Sequence, residues 1–193
     1  MLNFVIFGAP GSGKGTYSAR LKEIFNLEHI STGDVLRGEI RNNTELGLIA
    51  KSYIDKGQLI PDDLMIGILA NVYDNLPADS KGVILDGFPR TITQAEALGK
   101  MFEERNEKLT AVIDLEVSED ILLARLLRRA KLEGRADDNE ETIKKRFEVY
   151  QKQTAPLIEW FEKEGIRNTF YWSNTPNKED MIASIFKFLD TIK

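Results

Sequence analysis

The sequence predicts an α/β protein: a P-loop parallel β-sheet covered by helices on both faces. Two observations carry that expectation. Short apolar runs alternate with helix-period segments along the chain, which calls for right-handed crossovers and a parallel sheet. In addition, the apolar run Leu2–Phe7 passes straight into Gly8-Ala9-Pro10-Gly11-Ser12-Gly13-Lys14-Gly15-Thr16, and helical spacing follows, with Leu21, Ile24 and Phe25 on one side. Strand, glycine loop and helix in that order form the context of a phosphate-binding loop. Glycines let successive N–H groups turn inward on an oxyanion. The helix start adds unpaired donors and about half a unit of positive charge, and Lys14 adds a full one. A bound nucleoside triphosphate is implied.

The remaining elements follow in order. Glu28-His29-Ile30 is a brief extended stretch leading to Ser31-Thr32-Gly33-Asp34-Val35-Leu36-Arg37. Ser31 or Thr32 caps a helix that begins near Asp34, which puts Arg37 one turn inside it. Thr44 to Lys56 reads as the next helix, stopped by Gly57. Gln58-Leu59-Ile60-Pro61 is a short connection, and Asp62 caps a helix reaching about Asn75. Residues 31–60 are thus a small helical insertion. Gly82–Asp86 is a second buried strand and runs into Gly87-Phe88-Pro89-Arg90. Thr91 or Thr93 starts the helix to Arg105. Ala111–Val117 is a third strand; Ser118 and Glu119 open a helix carrying Leu122, Leu126 and the arginines 125, 128 and 129. Polar Gly134–Asn139 breaks that pattern. A long helix from Glu140 to Glu164, bent at Pro156, leads to a last strand at Asn168–Trp172 and a closing helix from Lys178 to Ile192.

Composition narrows the class. With 193 residues, 42% of them hydrophobic and 30% charged, the chain reads as one soluble domain over residues 1–193. The opening apolar run stops at Gly8, far short of the roughly 20 residues that span a bilayer. It has no basic leader, so no export signal is expected. The net charge of −5 argues against a general nucleic-acid binder. Cysteine is absent, which excludes a disulfide scaffold and a thiolate nucleophile and fits a reducing, cytoplasmic setting. The sole histidine, His29, reads as structural.

Gly8–Thr16 and Asp86–Arg90 both lie at strand carboxyl ends and should share one rim, where ligands bind in such sheets. Phosphoryl transfer needs positioning and charge neutralisation more than a covalent nucleophile, and one histidine leaves little from which to build a Ser–His–Asp set. Asp86 either holds Mg²⁺ through its water shell or caps the turn after its strand. Arg37, Arg90, Arg129, Arg135 and Arg146 offer guanidinium forks that match phosphate oxygens. Arg128 and Lys144 read as solvated surface residues.

Four blocks together, Gly8–Thr16, Ser31–Arg37, Asp86–Thr91 with Gln94, and Gly134–Asp138, resemble the short-lid adenylate kinases among the nucleoside monophosphate kinases, over essentially the whole chain. The resemblance implies reversible transfer of the γ-phosphoryl group of ATP to AMP, giving two ADP, with Mg²⁺. It implies that Gly11, Ser12, Gly13, Lys14, Gly15 and Thr16 hold the ATP phosphates, that Arg129 contacts ATP, and that Thr175 or Pro176 passes the base. Thr32, Arg37, Gln58, Leu59, Ile60, Gly87, Phe88, Pro89, Arg90 and Gln94 would form the AMP site. Arg135 and Arg146 would grip the acceptor phosphate and the group in transit, and Asp137 and Asp138 would help hold a closed state. Residues 31–60 would be the AMP-binding flap and 128–138 the lid. Gly15 stands between Lys14 and Thr16, as in that family, so the Thr16 hydroxyl is not assigned as a direct metal ligand. Tyr17 replaces the family's usual glutamine. The lid lacks cysteine, so no zinc is expected. Thr32 and Gln94 favour adenine, whereas uridylate–cytidylate kinases usually carry alanine at the position of Thr32 and asparagine at that of Thr91. The expected partners are ATP and AMP, with no nucleic acid or membrane, and the expected state is a monomer. A P-loop switch or a scaffold with a degenerate loop would leave Arg90, Gln94 and Arg135 without a task.

Overall fold

The computed structural model describes residues 1–171 and 178–191. Its strands are β1 (Leu2–Phe7), β2 (Glu28–Ser31), β3 (Gly82–Asp86), β4 (Ala111–Glu116) and β5 (Arg167–Tyr171). They form one sheet in the order β2-β3-β1-β4-β5, parallel at every pairing. The helices are α1 (Lys14–Phe25), α2 (Thr32–Arg41), α3 (Glu45–Ile54), α4 (Asp62–Asp74), α5 (Ile92–Glu104), α6 (Glu119–Glu133), α7 (Glu140–Val149), α8 (Leu157–Lys163) and α9 (Lys178–Asp190). Thr175, Pro176, Trp172 and Ile192 lie outside the described residues.

Alternation along the strands divides the core between two faces. Val5, Phe7, Val83, Leu85 and Val112 pack with Leu36, Met65, Leu69, Leu98, Phe102 and Phe161 from α2, α4, α5 and α8. Phe4, Ile6, Ile84, Ile113 and Leu115 pack with Tyr17 and Leu21 of α1 and with Met181, Ile185 and Leu189 of α9. Both faces are covered, which is why these strands read as nearly unbroken apolar runs. Tyr17 is therefore a core residue on the second face. It is 3% exposed.

Register aligns three strand ends. Ile6 of β1 and Ser31 of β2 both pair with Asp86 of β3. The chain thus leaves the sheet at Phe7-Gly8, Thr32 and Gly87 along one edge.

Two local expectations are corrected. Asp62 does not cap α4: the cap position is Pro61, without a side-chain cap bond. Both Asp62 oxygens are taken instead by the start of α5. The helix expected from Glu140 to Glu164 is also not continuous. A π-turn over Tyr150–Thr154 separates α7 from α8, and the Ala155 N–H reaches back to the Tyr150 carbonyl at 2.8 Å. Pro156 has no N–H to continue the ladder, so the irregularity falls on the turn before it.

Candidate active site

The phosphate loop is shaped by close packing as much as by its glycines. At Gly13, with φ of 99°, an added Cβ would come within 3.1 Å of the Tyr17 ring, so both backbone and space require glycine. Gly11 abuts Leu122 and Leu126 of α6. Arg125, one turn before Arg129 on the same helix, donates to the carbonyls of Ser12 at 3.2 Å and Gly11 at 3.4 Å. Lys14 Nζ folds back to donate to the carbonyls of Gly8 at 2.8 Å and Ala9 at 3.1 Å. Burial lowers its pKa to about 8; Asp86 opposes that shift, and Arg90, Arg146 and Arg129 add to it. Gly15 and Thr16 sit exposed in the first turn of α1.

At the end of β3, Asp86 lies against the same helix start, its Oδ2 3.6 Å from where Gly15 would carry a Cβ. Burial pushes the Asp86 carboxyl up, but His29, Lys14 and Arg90 outweigh it and hold the group below the usual carboxylate range. His29 Nε2 stands 3.5 Å from Asp86 Oδ2, too far for a well-formed hydrogen bond, and has no other partner among the described residues. Gly87, with φ of 80°, has no room for a side chain: a Cβ would meet Thr32 Oγ1 and Arg90 Nη2 at 2.8 Å. The Thr32 hydroxyl donates to the Gly87 carbonyl at 3.0 Å. Phe88 and Pro89 are joined by a cis peptide bond.

Arg90 is fixed at three points. Its Nε donates to the Gly87 carbonyl at 2.7 Å, its N–H donates to Gln94 Oε1 at 2.7 Å, and its carbonyl accepts from the Thr154 hydroxyl at 2.9 Å. Burial, with Arg146 nearby, lowers its pKa to about 10. Thr91 caps α5 by accepting from the Gln94 N–H.

A cleft opens over this rim. Among its lining residues are Gly8, Lys14, Thr32, Arg37, Gln58, Leu59, Ile60, Gly87, Phe88, Pro89, Arg90, Gln94, Asp137 and Arg146. Arg37 is held by Asp34 at 2.6 Å. Asp138, fully enclosed, receives Arg129 through two bonds at 2.6 and 2.8 Å. It also accepts from Arg146 Nη1 at 2.6 Å, and Asp137 adds a bond to the same nitrogen at 3.1 Å. Arg129, Arg135 and Asp138 are not cleft-lining residues. Arg135 pairs with Glu133 at 2.9 Å, within the field of Arg129 and Arg37. Pro176 lies outside the described residues.

Two contributors escape the sequence reading. Arg125 has one available signal, its spacing of four from Arg129, which places both on one helical face. Asp62 has none, because its residue type and position match a helix cap.

Lysine and guanidinium groups gathered on a strand rim, each resting on protein oxygens that a phosphate could replace, suit the passage of a phosphoryl group between two anions. The fold and rim therefore define a P-loop phosphotransferase. The family model described as adenylate kinase matches residues 6–166. The chain is 66% identical over 164 residues to an adenylate kinase of Bacteroides thetaiotaomicron, spanning 85% of this chain and 86% of the relative. It is 62% identical over 189 residues to an adenylate kinase of Phocaeicola vulgatus, spanning 97% and 100%. It is 57% identical over 192 residues to an adenylate kinase of Bacteroides fragilis, spanning all of both chains. The chain belongs to the adenylate kinase family, and is a nucleoside monophosphate kinase that exchanges phosphoryl groups between ATP and AMP.

Proposed function

We propose that AMP occupies the cleft between residues 31–60 and the Gly87–Gln94 segment, with ATP on the Gly11–Thr16 side and the γ-phosphoryl group passing between them beside Lys14. The observation that carries this reading is geometric: Lys14, Arg37, Arg90 and Arg146 line one cleft together with Gln58, Leu59, Ile60 and the Gly87–Gln94 segment. Four cations on one cleft suit a polyanion, whose oxygens can replace the carbonyl and carboxylate oxygens that receive them. Lys14 would move from the Gly8 and Ala9 carbonyls to the β- and γ-phosphates. Arg90 and Arg37 would take the AMP phosphate, and Arg146, with Arg135 and Arg129, the group in transit. Residues 128–138 act as a lid and 31–60 as a flap, closing to keep water from accepting the phosphoryl group.

Mg²⁺ suits Asp86. The carboxylate is held ionised beside the helix start that would receive the phosphates, and magnesium usually binds through one or two carboxylates plus phosphates and water. When bound it neutralises charge on the phosphate oxygens. We further assign the protein to the cytoplasm, as a monomer; no helix among the described residues is long and apolar enough to cross a membrane.

The test is ADP formation. With ATP and Mg²⁺, adding AMP should yield ADP at a rate far above that with ATP alone, and CMP or UMP should substitute poorly. ADP formed equally well without a monophosphate would make the protein a hydrolase, and equal turnover of CMP or UMP would remove the adenine preference.

A further inference from the structure

Asp62 stands at the first position of α4, yet both of its carboxylate oxygens point to α5. Oδ1 accepts from Gln94 Nε2 at 2.8 Å, and Oδ2 accepts from the Thr91 hydroxyl at 3.0 Å. On the other side of the same carboxamide, the Arg90 backbone N–H donates to Gln94 Oε1 at 2.7 Å. Gln94 is only 2% exposed and lines the cleft, where Asp62 does not.

The two neighbours of this carboxamide permit only one orientation. A backbone N–H can only donate and a carboxylate only accept. Turning the amide by half a revolution would set donor against donor at Arg90 and acceptor against acceptor at Asp62. In the observed orientation, Nε2 retains one hydrogen and Oε1 one lone pair. These match the N1 acceptor and the N6 amino donor of adenine. Hypoxanthine presents the opposite pair, a hydrogen on N1 and a carbonyl at C6, and would suit the turned amide.

We propose that Asp62 is a positioning residue for base selection: it holds the Gln94 carboxamide in the orientation that accepts adenine and rejects 6-oxopurines. The inference rests on reading Gln94 as the base contact. It accounts for why a residue of helix-capping type, at a helix start, leaves its own helix and crosses to a neighbour.

The test compares kcat/KM for AMP and IMP at saturating ATP and Mg²⁺. Asp62→Ala should lower the AMP-to-IMP ratio by about tenfold or more, mainly through KM for AMP, with KM for ATP unchanged. Asp62→Asn retains an acceptor oxygen for Gln94 and can donate to the Thr91 hydroxyl, so it should stay near the native ratio. Both variants lose the charge at the helix start, so a stability effect alone would not separate them. If alanine abolishes folding, Asp62→Ser suits a helix start but is too short to reach Gln94, and it should behave as alanine is expected to. A native ratio in the folded alanine or serine variant would overturn the proposal, as would an asparagine variant that loses the ratio equally. Gln94→Ala, measured alongside, separates the two possible failures. If it keeps the native ratio, the base-contact reading falls and the proposal with it; if it alone loses the ratio, only the role of Asp62 falls.

Discussion

Lys14 Nζ rests 2.8 Å from the carbonyl oxygen of Gly8, so the loop's cation is bound to the loop's own backbone. Burial holds its pKa at about 8, against 10.5 for an ordinary lysine. Phosphate favours the charged form and will raise that value. Binding of ATP as its Mg²⁺ complex should therefore take up protons at Lys14 just above pH 8, with that uptake fading toward pH 7. Calorimetric titration in buffers of different ionisation enthalpy measures this directly, and absence of uptake above pH 8 would contradict it. The same shift makes the free protein's stability rise with pH between about 8 and 10.5, because there the unfolded chain binds more protons than the folded one.

Replacing that lysine should separate chemistry from folding. Lys14→Met should reduce kcat by a factor on the order of 10² to 10³, the usual effect of removing one group that stabilises charge in the transition state. Melting temperature at neutral pH should hold or rise, since a charge that burial disfavours is exchanged for an apolar chain of similar length. Turnover near the native rate would exclude Lys14 from the mechanism.

Arg90→Ala should act on one substrate. Loss of a charge-assisted contact should raise KM for AMP about tenfold to a hundredfold while affecting KM for ATP far less. Equal losses for both nucleotides would contradict the division of the site.

Asp138 offers a test through stability. Its fully enclosed side chain binds Arg129 and Arg146. Burial pushes its carboxyl up, but Arg129 and its neighbours prevail and hold it below the ordinary range. A lowered folded-state pKa stabilises above the unfolded value and loses that contribution as pH falls through the folded one. Asp138→Ala should cost about 3 kcal/mol, the scale for breaking a buried ion pair, and Asp138→Asn should flatten the acid side of the curve of melting temperature against pH. Thermal unfolding across acidic pH checks both, and an unchanged acid limb would contradict them.

The strands and the phosphate loop are legible in the sequence because their signals are local. Val83-Ile84-Leu85 is apolar on both faces, and Gly13 must adopt a backbone that other residues resist. Even the shared rim follows from strand polarity alone, without knowing that Asp86 pairs with Ile6. What sequence reading cannot supply is a side chain's choice among distant partners. Asp62 has the composition and position of a cap, and only the approach of α5 offers it two donors that win instead. Arg125 resembles any other arginine of its helix until packing against Gly11 turns it toward the loop. Pro156 predicts an irregular helix, but the position of the displaced hydrogen bonds depends on how α7 and α8 each meet the core.

Hydrogen exchange with a bisubstrate analogue, two adenosines joined by a polyphosphate chain, asks whether two nucleotides meet end to end over one strand rim and are enclosed from both sides. The analogue should slow amide exchange in both 31–60 and 128–138, with ATP alone and AMP alone each producing less of the effect. An analogue that binds yet leaves either segment exchanging as in the free protein would rule out enclosure from both sides.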